Sequence, residues 1–515
     1  MDKIKVKISE LLYYCFFGLL LFAKGIGLYD GQTAFKLILI AAAAAWIGKM
    51  CLTAYTRKEF IIIVLLLGTG IITYLVSGEK GAVLYILMIT GLKNIPIKRV
   101  FTVGAWIWSI SFIGTAILNA THLIDGPFKV HEKLGMDMLI RWGLGQSHPN
   151  VLHISYLVLV MFLVYLLGEK LTLKAVIGLM IGNILVFTFS VSSTGVITVT
   201  FYLGICLYCH YRKKPGRLEY LSAQMIFPII LLYSFAAPLV LKGELFERVN
   251  HFTNTRLNLA RHFLTLRGPS LFGNRVADII TSQLTMDNSY VNAYVTYGLI
   301  LTILIVGLYL VLIRKYCHDN RNGELAIILA CLVAGIMEPF LFNTSFKNIS
   351  LLFAAEILFT EKEGGKIRLP GRLDREVQLS FSGIGRLGEG FRTTLKVKGN
   401  KLLAAGLLFG LLGGIGYALL WNKPEAIIVP KKDIDVAILQ QHPELEPIYI
   451  DNPGEVEKVI IYGYQSGETE MIVCDGEKFI AIELYRGMLT WGMLTGFAAF
   501  TCMLVYGKRK YAKTV

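Results

Sequence analysis

Runs of roughly 18–20 uncharged, mostly apolar residues recur along almost the whole chain, and each is long enough to cross the hydrocarbon core of a bilayer as a helix. No other feature restricts the fold as strongly, because a backbone in lipid must satisfy its own hydrogen bonds. The apolar residues come in blocks rather than at amphipathic spacing. Only 17% of the 515 residues are charged, below the quarter or so usual in soluble domains. Segments at 11–28, 35–54, 60–76, 82–92, 100–118, 151–167, 175–189, 196–208, 221–241, 290–313, 325–342, 349–359, 402–421 and 487–506 predict about fourteen spans. Those at 82–92 and 349–359 are short enough to be half-spans. The expected fold is an all-α polytopic membrane bundle.

A formal net charge of +15 would suit a nucleic-acid partner if it lay on one surface. Instead it follows the connections. Lys3, Lys5 and Lys7 precede the first span. Alternate connections then hold Arg57-Lys58, Lys93 with Lys98-Arg99, Arg212-Lys213-Lys214, Arg314-Lys315, the stretch 362–401, and Lys508-Arg509-Lys510. All fall on one side of the bilayer, which the positive-inside rule makes cytoplasmic together with both termini. The charge is a topology signal, the partner it implies is the bilayer, and no nucleic acid is expected. The 11–28 run has no small-x-small cleavage site and reads as a first anchor.

This topology divides the chain into a membrane-embedded core at 1–360, a basic cytoplasmic linker at 361–400, and a two-helix module at 401–515. The core's longer outer loops are 119–150 and 242–288. The linker contains Gly383-Ile-Gly385-Arg-Leu-Gly388, a formal G-x-G-x-x-G without the strand and helix that give that motif meaning. It is expected to be a tether lying against anionic lipid. The module carries an extracytoplasmic segment, 422–486, with short β-type runs at 459–464, 470–474 and 478–483 separated by turn residues, so a small β-rich domain is expected. Gly406, Gly410 and Gly414 repeat at a spacing that lets two helices approach closely. Cys206 and Cys209 form a C-x-x-C inside an apolar span, where packing is the plain interpretation. No H-E-x-x-H or Cys/His cluster occurs, and neither a metal nor another cofactor is expected.

The second outer loop carries Arg248, Arg256, Arg261, Arg267 and Arg275, against the charge alternation obeyed elsewhere. Within it, 255–266 has apolar residues at 257, 260, 263 and 264, a helical stripe that Gly268-Pro269 ends. Guanidinium groups bind phosphate in forked pairs and stay charged. Such a helix suits a pyrophosphate at the membrane surface, or the phosphates of lipid headgroups. The loop runs into Asp287-Asn288-Ser289-Tyr290 at the mouth of the next span, where Asp287 is either an N-cap or a functional carboxylate. The first outer loop brings Arg141, then Gln146-Ser-His148-Pro149-Asn150, to a span mouth on the same face. Glu338 is placed within an apolar span near its outer end, where a carboxylate is costly and marks a candidate site.

In order, these motifs are an outer Arg141, the stretch from Gly145 to Asn150, Arg256, Pro269-Ser-Leu-Phe-Gly273, Asp287-Asn-Ser-Tyr290, and Tyr297-Gly298-Leu299. This arrangement resembles the O-antigen polymerase and ligase family, the Wzy-type polysaccharide polymerases. Ser77-Gly-Glu-Lys80 and 88–99 resemble its Gram-positive capsule and exopolysaccharide branch. The similarity spans about residues 10–360 and leaves 401–515 unassigned. It implies a GT-C-like bundle in a bacterial cytoplasmic membrane. It further implies an inverting, metal-independent glycosyltransferase that joins undecaprenyl-pyrophosphate-linked repeat units. A chain-length regulator or a flippase protein would be a further partner. On this resemblance Asp287 is the base, in a position where related ligases carry His, with His148 as the alternative, and Arg256 stabilises the leaving pyrophosphate. Arg141, Arg248, Arg261, Asn150, Asn288, Tyr290 and Glu338 would bind substrate, with Arg141, Arg256 and Arg261 converging on one cavity. The family often shows Ser-Gly-Arg followed by Trp. Here Asn254-Thr-Arg256 departs from that, which leaves Arg261 and Arg248 as alternatives to Arg256. A ligase acting on another acceptor and a lipid-linked oligosaccharide flippase are the rival functions.

Overall fold

The computed structural model describes residues 4–124, 128–133, 136–212, 214–253, 255–266, 268–275, 286–359, 366–367, 374–379, 382–423, 426–430, 434, 447–448, 458–463 and 476–511. Among these, eleven helices are long and apolar enough to cross a membrane. Three shorter apolar helices, Gly81–Thr90, Asn322–Ala334 and Ile349–Leu358, occupy other segments of the expected set. The chain is a multi-pass, predominantly helical membrane protein. It forms two compact units, one of Lys7–Thr115 and Gly145–Glu376, the other of Met1–Val6, Ala116–Leu144 and Val377–Val515.

In the first unit the Pro149–Leu167 helix lies at the centre, buried along most of its length. Its one imidazole in that stretch, His153, is enclosed between Ser190 Oγ at 3.0 Å and Asn183 Oδ1 at 2.8 Å. A polar group so deep is tolerated because each ring nitrogen has a partner. The Thr33–Leu52 and Arg57–Ser77 helices instead expose Leu37, Ile40, Leu65 and Leu75. In a membrane, such apolar faces meet lipid hydrocarbon. Thr56 and Glu59 form a reciprocal capping box that starts the Arg57–Ser77 helix.

Two helices of this unit are interrupted by single π-turns, Leu232–Ala236 and Ala293–Tyr297. The second is held by the Pro269–Gly273 motif. Leu299 N donates to Ser270 O at 2.8 Å, and Asn274 N donates to Val295 O at 3.0 Å. Gly273 and Gly298 have φ of 91° and 83°, values that L side chains rarely adopt. A Cβ on Gly273 would lie 1.9 Å from Thr296 O, and one on Gly298 would lie 2.3 Å from Gly273 N. These two motif glycines therefore form a backbone-to-backbone clip.

Two features of this unit differ from the sequence expectation. The expected 325–342 span is a helix only over Asn322–Ala334. Glu338 consequently lies not inside a span helix but in a non-helical segment, 335–348, that begins at Gly335 and contains Pro339. Leu341 packs against Gly335 so closely that a Cβ there would be 2.3 Å from its Cδ1. The described part of the 361–400 stretch is also not a free tether. Lys366–Ile367 pairs with Tyr55–Thr56. Asp374 accepts from Ser9 N at 2.9 Å and Ser9 Oγ at 3.0 Å. The Gly383–Gly388 motif falls within a helix, Ser382–Leu420, so it has no strand-turn-helix context.

The second unit is built on two long helices, Ser382–Leu420 and Gly476–Tyr511. Their glycines meet at the interface. A Cβ on Gly410 would lie 2.9 Å from Gly492 O, one on Gly414 would lie 2.9 Å from Met488 O, and one on Gly496 would lie 2.7 Å from Gly406 O. The helix contact predicted from the glycine spacing is therefore present. Ala426–Pro430, Lys458–Gly463 and Pro447–Ile448 form three paired strands. The run at 478–483 is helical rather than extended, because it continues without a break into the last apolar helix. The run at 470–474 lies outside the described residues. An antiparallel hairpin, Phe128–Lys133 with Met136–Trp142, completes this unit.

Candidate functional site

The described residues of the second long loop contain the expected helix, Arg256–Leu266. Leu257, Ala260 and Phe263 are its buried face. Ala260 and Phe263 pack with Met286, Val291 and Val295. This packing draws the end of the loop towards the helix, and it brings together one pair of opposite charges. Arg256 Nε lies 3.2 Å from Asp287 Oδ2, with the side chains 15% and 29% exposed. The pair is thus half-buried but still reachable.

The N-cap of the turn that follows is Asn288 rather than Asp287. Asn288 Oδ1 accepts from Tyr290 N at 2.9 Å and Val291 N at 3.1 Å, and its Nδ2 donates to Ser234 Oγ at 3.0 Å. Asn288 thereby links the start of the Ser289–Asn292 turn to the π-turn at Leu232–Ala236. Tyr290 is buried, and its hydroxyl donates to Leu332 O at 2.5 Å. Asn288 and Tyr290 thereby support the Asp287 position.

The other arginines of this loop behave differently from Arg256. Arg261 donates from Nε to Pro238 O at 2.6 Å and from Nη2 to Leu241 O at 2.5 Å, and it stacks 3.7 Å above the Phe246 ring. It satisfies carbonyls left over at the end of the Ala237–Val240 helix. Two of the Arg261 donors are thereby engaged in holding these carbonyls. Arg248 pairs with Glu244 one helical turn away, both well exposed. Arg275 is exposed, and Arg267 lies outside the described residues.

His148 is the N-cap of the Pro149–Leu167 helix, with Nδ1 accepting from Asn150 N at 3.1 Å. Behind this turn, Gln146 Nε2 donates to Gly25 O at 2.9 Å, and Ser155 Oγ donates to Gln146 Oε1 at 3.2 Å. Ser155 also accepts from a residue that the sequence argument missed. Lys347 Nζ lies 2.8 Å from Ser155 Oγ and 3.3 Å from Val151 O, and the residue is only 3% exposed. Among the described residues its hydrogen-bond partners are these neutral oxygens alone. Burial, reinforced by the charge of Lys24 and opposed by that of Glu338, pulls the Lys347 amine down to about 7. One sequence signal was available. Lys347 stands in a short connection where the charge alternation predicts no cation.

The 335–348 segment that carries Lys347 also reaches the Asp287 region. Ser289 N donates to Gly335 O at 2.8 Å, and Ser289 Oγ donates to Glu338 O at 2.5 Å. Glu338 is buried. At the segment's other end Thr344 N donates to Glu79 Oε1 at 3.2 Å, and burial pushes the Glu79 carboxyl up. Lys80, next in the Ser77–Lys80 motif, pairs with Asp30 at 2.7 Å. One non-helical segment thus connects the His148 turn, the Asp287 turn and the Glu79-Lys80 motif.

An apolar cavity of about 430 Å³ lies beside this framework, lined among others by Ile62, Tyr85, Tyr297, Leu301 and Leu351. Its chemistry suits a hydrocarbon chain; Arg256 and Asp287 do not line it. Among the described residues, no group of three or more His, Cys, Asp or Glu side chains is arranged to hold a metal ion. Arg141 belongs to the other compact unit, on the hairpin opposite Lys129. No family model, curated protein or solved structure matches the chain.

Proposed function

We propose that this protein is a glycan polymerase that joins polyprenyl-pyrophosphate-linked repeat units at the outer face of a bacterial cytoplasmic membrane. Both termini would then be cytoplasmic, and the two long loops outside. The observation that carries this reading is the Arg256–Asp287 pair, a half-buried cation and carboxylate at the mouth of a membrane helix. In the proposed reaction an acceptor hydroxyl attacks the anomeric carbon of the donor. The new C–O bond forms as the bond to pyrophosphate breaks, with inversion. The pyrophosphate leaves with the bonding electrons, and the hydroxyl proton passes to a base.

Asp287 suits the last role by position, at a loop end supported by Asn288 and Met286 rather than on a flexible strand of chain. Arg256 has five N–H donors, so its Nε contact with Asp287 leaves capacity for a phosphate oxygen. A cation on the leaving group stabilises charge that develops only in the transition state. The apolar cavity offers space for part of a polyprenyl chain. Purified protein supplied with lipid-linked repeat units should yield a ladder of chain lengths. Asp287→Asn should retain donor binding and yield no ladder, and His148→Ala should cost less. A normal ladder from Asp287→Asn together with none from His148→Ala would exchange the two roles. Normal ladders from both would end the proposal for these positions. Transfer to a different acceptor, with no ladder, would indicate the ligase reaction.

A second reading is favoured by a separate observation, the buried Lys347 close to Lys24 and Glu338. Buried charges beside interrupted helices also occur in transporters. Flipping of a lipid-linked oligosaccharide by purified protein in vesicles, without polymer growth, would select that alternative.

A further inference from the structure

The second compact unit joins parts of the chain that are far apart in sequence. Arg486, on the Gly476–Tyr511 helix, donates from Nη1 to Ile140 O at 2.6 Å across 346 positions, and to Glu483 Oε1 at 2.6 Å. Arg486 is only 6% exposed. Trp142 packs against Phe128 on the facing strand, with ring centroids 5.2 Å apart. On that facing strand Val130 forms a parallel bridge with Ile434. The 128–142 hairpin is therefore gripped on both strands by chain from the C-terminal module.

A buried guanidinium is costly unless its donors and its charge are answered. Here Glu483 answers the charge and the Ile140 carbonyl takes a donor. That carbonyl belongs to the planar peptide unit that joins Ile140 to Arg141. Holding it sets the orientation of the backbone from which the Arg141 side chain departs. The glycine contacts between the two long helices fix the rod that presents Glu483 and Arg486. The sequence of effects runs from close-packed glycines, to a rigid helix pair, to two buried side chains, to one peptide plane of the hairpin.

We infer that the 401–515 module is the scaffold that positions the Arg141 hairpin, with Arg486 as the positioning residue. This rests on the glycosyl-transfer reading, in which Arg141 serves the donor. The proposal gives the module a task without requiring a reaction of its own. It also explains a guanidinium retained where an apolar side chain would be cheaper to bury.

The test uses the full-length protein in lipid nanodiscs and two independent readouts. Hydrogen exchange of the 128–142 amides reports the grip itself. Arg486→Met should speed that exchange on the order of ten- to a hundredfold, while the Pro149–Leu167 helix stays unchanged as a control for folding. Arg486→Lys should retain part of the protection, because an ammonium can still donate to the carbonyl. Trp142→Phe, which trims the ring packed against Phe128, should give a smaller increase. In polymerisation, Arg486→Met should raise the KM for the lipid-linked donor more than it lowers kcat, in the same sense as Arg141→Ala. Unchanged hairpin exchange in Arg486→Met overturns the scaffold whatever the activity. Faster exchange with normal donor kinetics, in a protein whose Arg141→Ala variant is defective, overturns the positioning role. If Arg141→Ala itself polymerises normally, the donor-binding role of Arg141 fails, and the exchange result still decides the scaffold.

Discussion

The second long loop and the short 335–348 segment both hold cations where the charge alternation predicts few, and they treat them in opposite ways. In the loop, three arginines have evident partners: Arg248 an exposed glutamate, Arg261 two helix-end carbonyls, Arg256 Asp287. In the segment, Lys347 is enclosed with neutral oxygens. The lesson is that a charge out of place in a sequence has several distinct meanings. Arg261 is a strut, Arg248 is solvated surface, and Arg256 and Lys347 are the two whose setting calls for a function.

The largest expected effect lies at Arg256. Removing a contact made in the transition state costs about 2–4 kcal/mol of barrier, on the order of 100-fold or more in turnover. Arg256→Lys should fail almost as badly as Arg256→Ala, since an ammonium cannot fork between a carboxylate and a phosphate. Steady-state polymerisation by both variants checks this. Full activity in Arg256→Lys would reduce the pair to a simple point-charge contact.

Lys347 comes next, with the opposite sign. Its amine is lowered in the folded protein to about 7 from the usual 10.5. The unfolded chain therefore binds more protons across that window, and stability should rise as pH climbs through it. Below about pH 7 both states are protonated and the burial penalty stands in full. Lys347→Met should raise stability there by about 1–4 kcal/mol, by analogy with buried charges replaced by apolar side chains. It should also flatten the dependence between pH 7 and 10. Thermal unfolding at pH 6 and pH 10 measures both. A variant that is more stable yet impaired in polymerisation marks Lys347 as functional, whereas a destabilised variant makes it another strut.

Arg261→Ala should cost about 1–3 kcal/mol of stability by leaving the Pro238 and Leu241 carbonyls without their donor. Its specific activity, corrected for folded protein, should fall far less than that of Arg256→Ala. A catalytic defect without a stability loss would erase the distinction between the two arginines. Smallest is Arg248→Ala, an exposed pair worth at most about 0.5 kcal/mol. Its unfolding midpoint and its polymer ladder should both match the wild type.

Part of the candidate site was legible because it depends on local spacing. The stripe at 257, 260 and 263 predicted the Arg256–Leu266 helix, and Gly273 with Gly298 stand at the turns where only a bare backbone fits. The partner of each polar side chain was not legible. Asn288 rather than Asp287 caps the turn because Asn288 also meets Ser234, 54 positions earlier. Nothing local to Asp287 announces that. Glu338 was misplaced for a related reason. Its apolar surroundings predict a continuing helix, but Gly335 packs under Leu341 and the helix stops at Ala334.

The sequence by itself determined that this chain is a helical membrane bundle with many apolar segments, and where two helices pack on glycine. Hydropathy and residue spacing act over a few turns, and lipid leaves the backbone no alternative to the helix. The tertiary structure decided which charges meet. Arg256 finds Asp287, Arg261 finds carbonyls, Lys347 finds Ser155, and Arg486 finds Ile140 across most of the chain. The physical reason is that a buried polar group takes whichever partner the packing of distant elements brings within about 3 Å, and that distance is set by the whole bundle rather than by the residues beside it.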